Sequence, residues 1–219
     1  MTLRKKVEEK FDLLKNPKLY DVQTPIYNNS EVVAYLKPIQ YNFQDLDYNL
    51  SELLSRWRVE NPSISTGTFK VTEERTTKWL LSHVLGRKDR IIFMIYSLED
   101  EPLGHIGLSN INYNNNSVEL DSVLRGVKSF LPGLMTFSTK SMIEFAFNYF
   151  KFSDIYLSVF SDNFQAIRFY ENLNFEEVDK MPLMKIEKDD EIKYEVTSKN
   201  SKIKFEKYYL KMKLVNNEY

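Results

Sequence analysis

The sequence predicts a mixed α/β domain built on one mostly antiparallel sheet. Three observations carry that prediction. Ile91 to Leu98, Leu103 to Ile111 and Ser117 to Arg125 are apolar runs separated only by Glu99-Asp100-Glu101-Pro102 and by residues 112–116. Short links rich in Asn and Asp join antiparallel hairpins. A helical period over 134–150 is followed by Asp154 to Phe160, whose IYLSVF run suits a strand buried on both faces. Finally, FEKYYLKMKL at 205–214 alternates as a closing strand does.

In chain order, residues 3–15 form a charged helix with Val7, Phe11 and Leu14 on one face. Residues 16–30 hold two prolines among several Asn and Asp residues and read as loop. Val32 to Pro38 is a β-type segment closed by its proline. A helix follows over 45–57, with Leu46, Leu50, Leu53, Leu54 and Trp57 at helical spacing, and Asn61-Pro62 breaks the chain after it. The next helix starts near Thr72, an N-cap ahead of Glu73 and Glu74, and stops at Gly86. Beyond the three hairpin strands, a loop at 126–132 leads into the helix at 134–150. Its apolar positions are Met135, Met142, Ile143, Phe145, Ala146 and Tyr149. A short helix begins near Asn163, and Phe175 to Val178 is a short strand. The stretch 181–204 is rich in Lys, Asp, Glu and Ser and reads as an exposed hairpin or loop. The organisation expected is a helix-and-loop extension at 1–30 and a single domain over 31–219 with a charged insertion at about 181–204.

Composition removes several function classes. Hydrophobic residues make up 42% of the 219, enough to pack a core. Lys and Arg total 30 against 31 Asp and Glu, so the concentrated basic face that a nucleic-acid binder needs is not expected. There is no cysteine, which excludes disulfides, thiolate zinc sites and a Cys nucleophile. Two histidines, His83 and His105, do not make a histidine-rich metal site, and no metal is expected. No apolar run approaches the ~20 residues that span a bilayer. The charged start, MTLRKKVEEKFDLLK, lacks a signal-peptide stretch. A cytoplasmic protein with no membrane contact is the expectation.

The densest local pattern is Val159-Phe160-Ser161-Asp162-Asn163-Phe164-Gln165-Ala166-Ile167-Arg168-Phe169-Tyr170. Physically it is a strand that ends at a helix N-terminus. Asn163 either caps that helix or donates to a ligand there, and small Ala166 permits close approach. Tyr170 lies seven residues on, two turns along the same face. Taken alone, the same residues make a cap and a core aromatic. The stretch resembles the signature of the GNAT (Gcn5-related N-acetyltransferase) family, a strand followed by Asn-x-x-Ala-x-x-Phe-Tyr.

The resemblance covers about residues 33–178. It implies a mostly antiparallel sheet split by an acetyl-CoA cleft, with helices on both faces. It also implies that acetyl-CoA is the co-substrate of an acyltransferase. The family's pyrophosphate loop, Gln/Arg-x-x-Gly-x-Gly/Ala, falls at Phe130-Leu131-Pro132-Gly133-Leu134-Met135. Only Gly133 survives there, so the loop would work through backbone donors at a helix N-terminus. Cofactor contacts implied are Val123, Leu124 and Arg125 on the central strand, then Leu131, Gly133, Leu134, Met135 and Thr136, and Asn163, Ala166 and Tyr170. Strand alternation places Glu119, Asp121 and Val123 on one face. Asp121 or Glu119 is the candidate base, with solvent-exposed acidic residues as the plain alternative, and Tyr170 is the donor to the leaving thiolate. The Trp57-Arg58-x-x-Asn61 element is similar to that of the PseH-type amino-sugar acetyltransferases. It nominates Trp57, Arg58, Asn61 and His105 for the acceptor, with Arg56, Arg58 or Arg125 reading a phosphate. A small-molecule amine, first of all a nucleotide-linked amino sugar, is the acceptor implied. A protein or polyamine acceptor, and a CoA-binding domain without turnover, stay open, as does a homodimer.

Overall fold

Helix α1 (Leu3–Lys15) begins at Thr2, whose hydroxyl accepts from the Lys5 N–H, and buries Val7, Phe11 and Leu14. In this computed structural model, residues 2–19, 23–62, 67–189, 191–198, 205 and 207–215 are described. The last residue of α1, Lys15, is fully buried. Its ammonium donates to the carbonyls of Val84 (2.9 Å), Leu85 (3.3 Å) and Arg87. A cation thus closes the C-terminal end of the helix over 73–85, where carbonyls lack partners. Burial draws its pKa down to about 8, so it stays charged at neutral pH.

The strands are β1 (Thr24–Asn28), β2 (Glu31–Pro38), β3 (Gly67–Thr68), β4 (Ile91–Tyr96), β5 (Pro102–Asn112), β6 (Ser117–Arg125), β7 (Asp154–Phe160), β8 (Phe175–Lys188), β9 (Glu191–Val196) and β10 (Lys207–Leu214). They form one sheet in the order β1-β2-β4-β5-β6-β7-β10-β8-β9-β3. Every pairing described is antiparallel except β6 with β7. The remaining helices are α2 (Leu50–Glu60), α3 (Glu73–Trp79, continued by a wider-wound stretch over Leu80–Leu85), α4 (Leu134–Phe145, continued over Ala146–Phe150) and α5 (Phe164–Glu171). No helix among the described residues is long and apolar enough to cross a membrane.

The core has two parts, one on each face of the sheet. Ile91, Phe93 and Ile95 of β4 face α1 and α4 with Val118, Leu120, Met142 and Ile143. Ile92, Met94 and Tyr96, alternating with them, face α2 and α3 with Leu53, Trp57, Leu80 and Val84. A mixed sheet with helices on both faces is therefore present, as the sequence predicts.

Three local expectations need correction. The loop read at 16–30 contains strand β1. Pro25 lowered its β signal, but β1 is an edge strand, where a missing N–H is tolerated. Helix α2 starts at Leu50 rather than 45, because the Asn49 side chain accepts from the Glu52 N–H at 3.1 Å and sets the boundary, leaving Leu46 exposed outside it. The short strand expected at 175–178 runs on to Lys188. Ladder bonds to β10 and β9 hold it, and half of its side chains are exposed, so no regular apolar alternation marks its length. The hairpin expected in 181–204 is β8 with β9, while 199–204 lies outside the described residues.

Candidate active site

Strands β6 and β7 pair over three residues only, Ser117 with Asp154 through Glu119 with Tyr156. Beyond that point β7 pairs with β10 on its other side. No described strand takes the β7 side of residues 120–125, so the sheet is split there and leaves a cleft lined by the backbone of β6.

A bulge in β6 shapes the cleft. His105 faces Leu124 and Gly107 faces Asp121, so two steps along β5 oppose three along β6. The extra residue is taken up at Ser122, whose φ of 52° is left-handed. His105 is almost wholly buried, and its Nδ1–H donates to the Ser122 carbonyl at 2.6 Å. A carbonyl can only accept, so the ring proton sits on Nδ1. Burial holds the His105 pKa down at about 4, leaving the ring neutral at pH 7. The bulge also inverts the alternation of the strand. Leu120 and Val123 now face α4, and Leu124 faces α2. The expectation that Val123 shares a face with Glu119 and Asp121 is thus overturned.

Asp121 is held from two directions. Its Oδ1 accepts the Ser122 N–H at 2.7 Å, and its Oδ2 pairs with Arg90 Nη2 at 2.8 Å. Arg90 also donates to Ser122 Oγ at 2.9 Å and packs its guanidinium 5.3 Å from the Trp79 ring centroid. Glu119, on the same face as Asp121, accepts from Asn110 at 2.9 Å and lies 3.7 Å from Lys211. Two phenols feel the Asp121 charge. Burial, reinforced by that carboxylate, pushes Tyr170 well above the usual phenol range and Tyr209 up to about 12. Tyr170 packs edge-on against Phe169 and Phe175, and its hydroxyl has no partner among the described residues. Tyr209 stacks on Phe160 at 4.7 Å.

At the other end of the cleft, Gly133 caps α4 with a φ of 81°. A side chain there would be strained and would press on Phe137, 3.1 Å from the position of a Cβ. Leu134 N–H donates to Leu131 and Phe137 N–H to Gly133. The N–H groups of Met135 and Thr136, in the first turn of α4, have no acceptor among the described residues. They present the positive end of the α4 dipole. Asn163 spends its side chain on the Ala166 N–H at 3.2 Å, capping α5.

Several nominated residues serve the fold where they stand. The Arg125 guanidinium does not point at the cleft. It donates to the carbonyls of Val127 (3.2 Å), Lys128 (2.8 Å) and Phe130 (2.8 Å) and so clasps the loop ahead of α4. Trp57 is 2% exposed, lies 6.3 Å from His105, and packs so closely on Gly126 that a Cβ there would lie 2.1 Å from its ring. Asn61 donates to the Trp57 carbonyl at 2.8 Å and finishes α2. Core packing and capping account for the Trp57 and Asn61 side chains where they stand. Arg58 and Arg75 each lie 4.5 Å from the Phe69 ring centroid, and Arg75 pairs with Glu191 at 2.7 Å. Arg56 is exposed. Sequence reading missed Arg90, Trp79 and Tyr209. The register of β4, β5 and β6 was the one signal for Arg90, which lies on the face of Ile92 and hence of Asp121.

Comparison with known proteins follows from this geometry. The family model described as Acetyltransferase (GNAT) domain matches residues 14–176. No curated protein matches the chain by sequence. Among solved structures, FdhC, a nucleotide-linked sugar GNAT, is similar at a TM-score of 0.57 and 18% identity, over 79% of this chain and 89% of its own. The spermidine/spermine N-acetyltransferase SpeG from Vibrio cholerae gives 0.55 and 14%, over 83% and 91%. At these identities the likeness is one of fold.

Proposed function

The chain belongs to the GNAT acetyltransferase family, and from that premise we propose that it moves an acetyl group from acetyl-CoA to the primary amine of a nucleotide-linked amino sugar. GNAT domains generally use acetyl-CoA, and the residues present fit it. The acceptor-free N–H groups of Met135 and Thr136 suit a pyrophosphate, with Leu131, Gly133 and Leu134 setting the turn. The unpaired edge of β6 around Val123 and Leu124 suits an extended amide chain, and Asn163 and Ala166 open the helix that carries Tyr170.

In this reading Asp121, with Glu119 beside it, takes the proton from the amine through water. The C–N bond forms, the C–S bond breaks, and the electron pair leaves on sulfur. Tyr170, whose proton burial holds firmly, stabilises that sulfur by donating a hydrogen bond.

The observation that carries the acceptor assignment is charge matching. Asp121 pairs with Arg90, Glu119 with Lys211, Glu191 with Arg75 and Asp162 with Lys207. A polycation such as spermidine needs unmatched acids, and these are matched. The Arg58 and Arg75 guanidiniums flanking Phe69 suit a phosphate that displaces Glu191 from Arg75. A cytoplasmic location goes with this reading. Titration with acetyl-CoA and thiol release over an amine panel test it. Tight binding with thiol release on nucleotide-linked amino sugars is expected. Binding without release on any amine would favour a CoA-binding domain, and equal turnover of free amines would remove the phosphate requirement.

A further inference from the structure

We infer that Arg90 is a positioning residue that fixes the Asp121 carboxylate for proton acceptance. The inference rests on the acetyl-transfer reading above. A carboxylate on a strand turns freely about two side-chain bonds unless both oxygens are engaged. Here Oδ1 is held by the Ser122 N–H and Oδ2 by Arg90. Without Arg90, one short hydrogen bond to the adjacent residue is left. Arg90 is itself immobilised, by Ser122 Oγ on one side and the Trp79 ring on the other. It stands just ahead of β4 and reaches past β5 to β6, so a segment two strands away holds the carboxylate. The Ser122 bulge that offers both contacts is pinned from beneath by His105.

The guanidinium also carries a defect. Its Nε is buried with no acceptor among the described residues. A buried N–H left unmade costs stability. A cation serving packing alone has no reason to bear that cost when an apolar side chain would fill the place beneath Trp79. Such violations cluster where a site needs them.

The test uses Arg90→Ala in the full chain, assayed by thiol release with and without added guanidinium ion, alongside an Asp121→Asn, Arg90→Ala double variant. Arg90→Ala should lower kcat by about tenfold or more, the scale on which misplaced groups act, while the acetyl-CoA KM stays within about twofold. Guanidinium should restore much of the loss, and the same ionic strength of sodium chloride should not. Arg90→Ala should cost little further in the Asp121→Asn background, because the two residues act as one unit. Unchanged kcat, a loss that guanidinium leaves in place, or an undiminished loss in the Asp121→Asn background would each overturn the inference alone. A wild-type protein that releases no thiol with any amine would overturn the acetyl-transfer reading and this inference together.

Discussion

On the α4 side of the cleft the groups without acceptors among the described residues are main-chain donors, the N–H groups of Met135 and Thr136 behind a left-handed Gly133. On the α3 side the charged groups are side chains drawn from distant segments: Arg90 to Asp121, Lys211 to Glu119, Arg75 to Glu191. A backbone-built wall tolerates substitution, because any residue other than proline supplies the same donor. Phe130 and Met135 can therefore stand where the family pattern has a polar and a small residue. A side-chain wall changes its chemistry with every substitution. Under the proposed function the two walls would divide the work: one would keep the co-substrate common to the family, and the other would set the acceptor.

The largest expected effect tests the support that both walls share. His105 is neutral in the folded protein down to about pH 4, whereas an unfolded histidine titrates near its ordinary ~6.5. Between those values the unfolded chain binds the extra proton, so stability falls as pH drops, by up to about 3 kcal/mol. His105→Asn keeps a donor for the Ser122 carbonyl and removes the titration. Its urea midpoint should fall less steeply from pH 6.5 to 4 than that of the wild type, and identical slopes would place the ring elsewhere.

Next is Tyr170, between the walls. Tyr170→Phe removes only a hydroxyl that has no partner among the described residues, so folding and acetyl-CoA affinity should hold while kcat falls about 10²-fold. Near-full turnover would leave Tyr170 as mere lining. Third, Gly133→Pro, placing a proline ring where φ is 81°, should weaken acetyl-CoA binding by well over tenfold. Met135→Ala should change it by less than about twofold, since the donor there is the main chain. Comparable losses in the two variants would erase the distinction between the walls. The smallest effect belongs to Arg75→Ala. Its bridge to Glu191 is half-exposed and screened by solvent, so breaking it should barely change stability while raising the acceptor KM.

The same division explains what the sequence made legible. Asn163, Ala166, Tyr170 and Gly133 sit in short patterns whose geometry is local, a strand or loop entering a helix, and they could be placed without knowing the rest of the chain. The three hairpin strands and the Thr72 and Asn163 caps were readable for the same reason. Val123 was assigned to the wrong face because one left-handed residue, Ser122, reverses strand parity, and serine gives no composition signal for it. The Trp-Arg-x-x-Asn pattern does not reveal that the Trp57 ring lies on Gly126, because that contact joins segments far apart in sequence. Arg90 and Tyr209 belong to segments far from Asp121 in sequence, and only register brings them near it.

The central claim is that Asp121, Glu119 and Glu191 are each held by a cation, so a polycation finds no ready partner among them. The most direct measurement is kcat/KM for thiol release from acetyl-CoA, with a nucleotide-linked amino sugar and with spermidine at the same ionic strength. Charge matching across Asp121–Arg90, Glu119–Lys211 and Glu191–Arg75 predicts that the nucleotide-linked sugar is favoured by about 10²-fold or more, the scale of a site whose polar groups one substrate satisfies and the other leaves unpaired. Equal values, or a preference for spermidine, would contradict it.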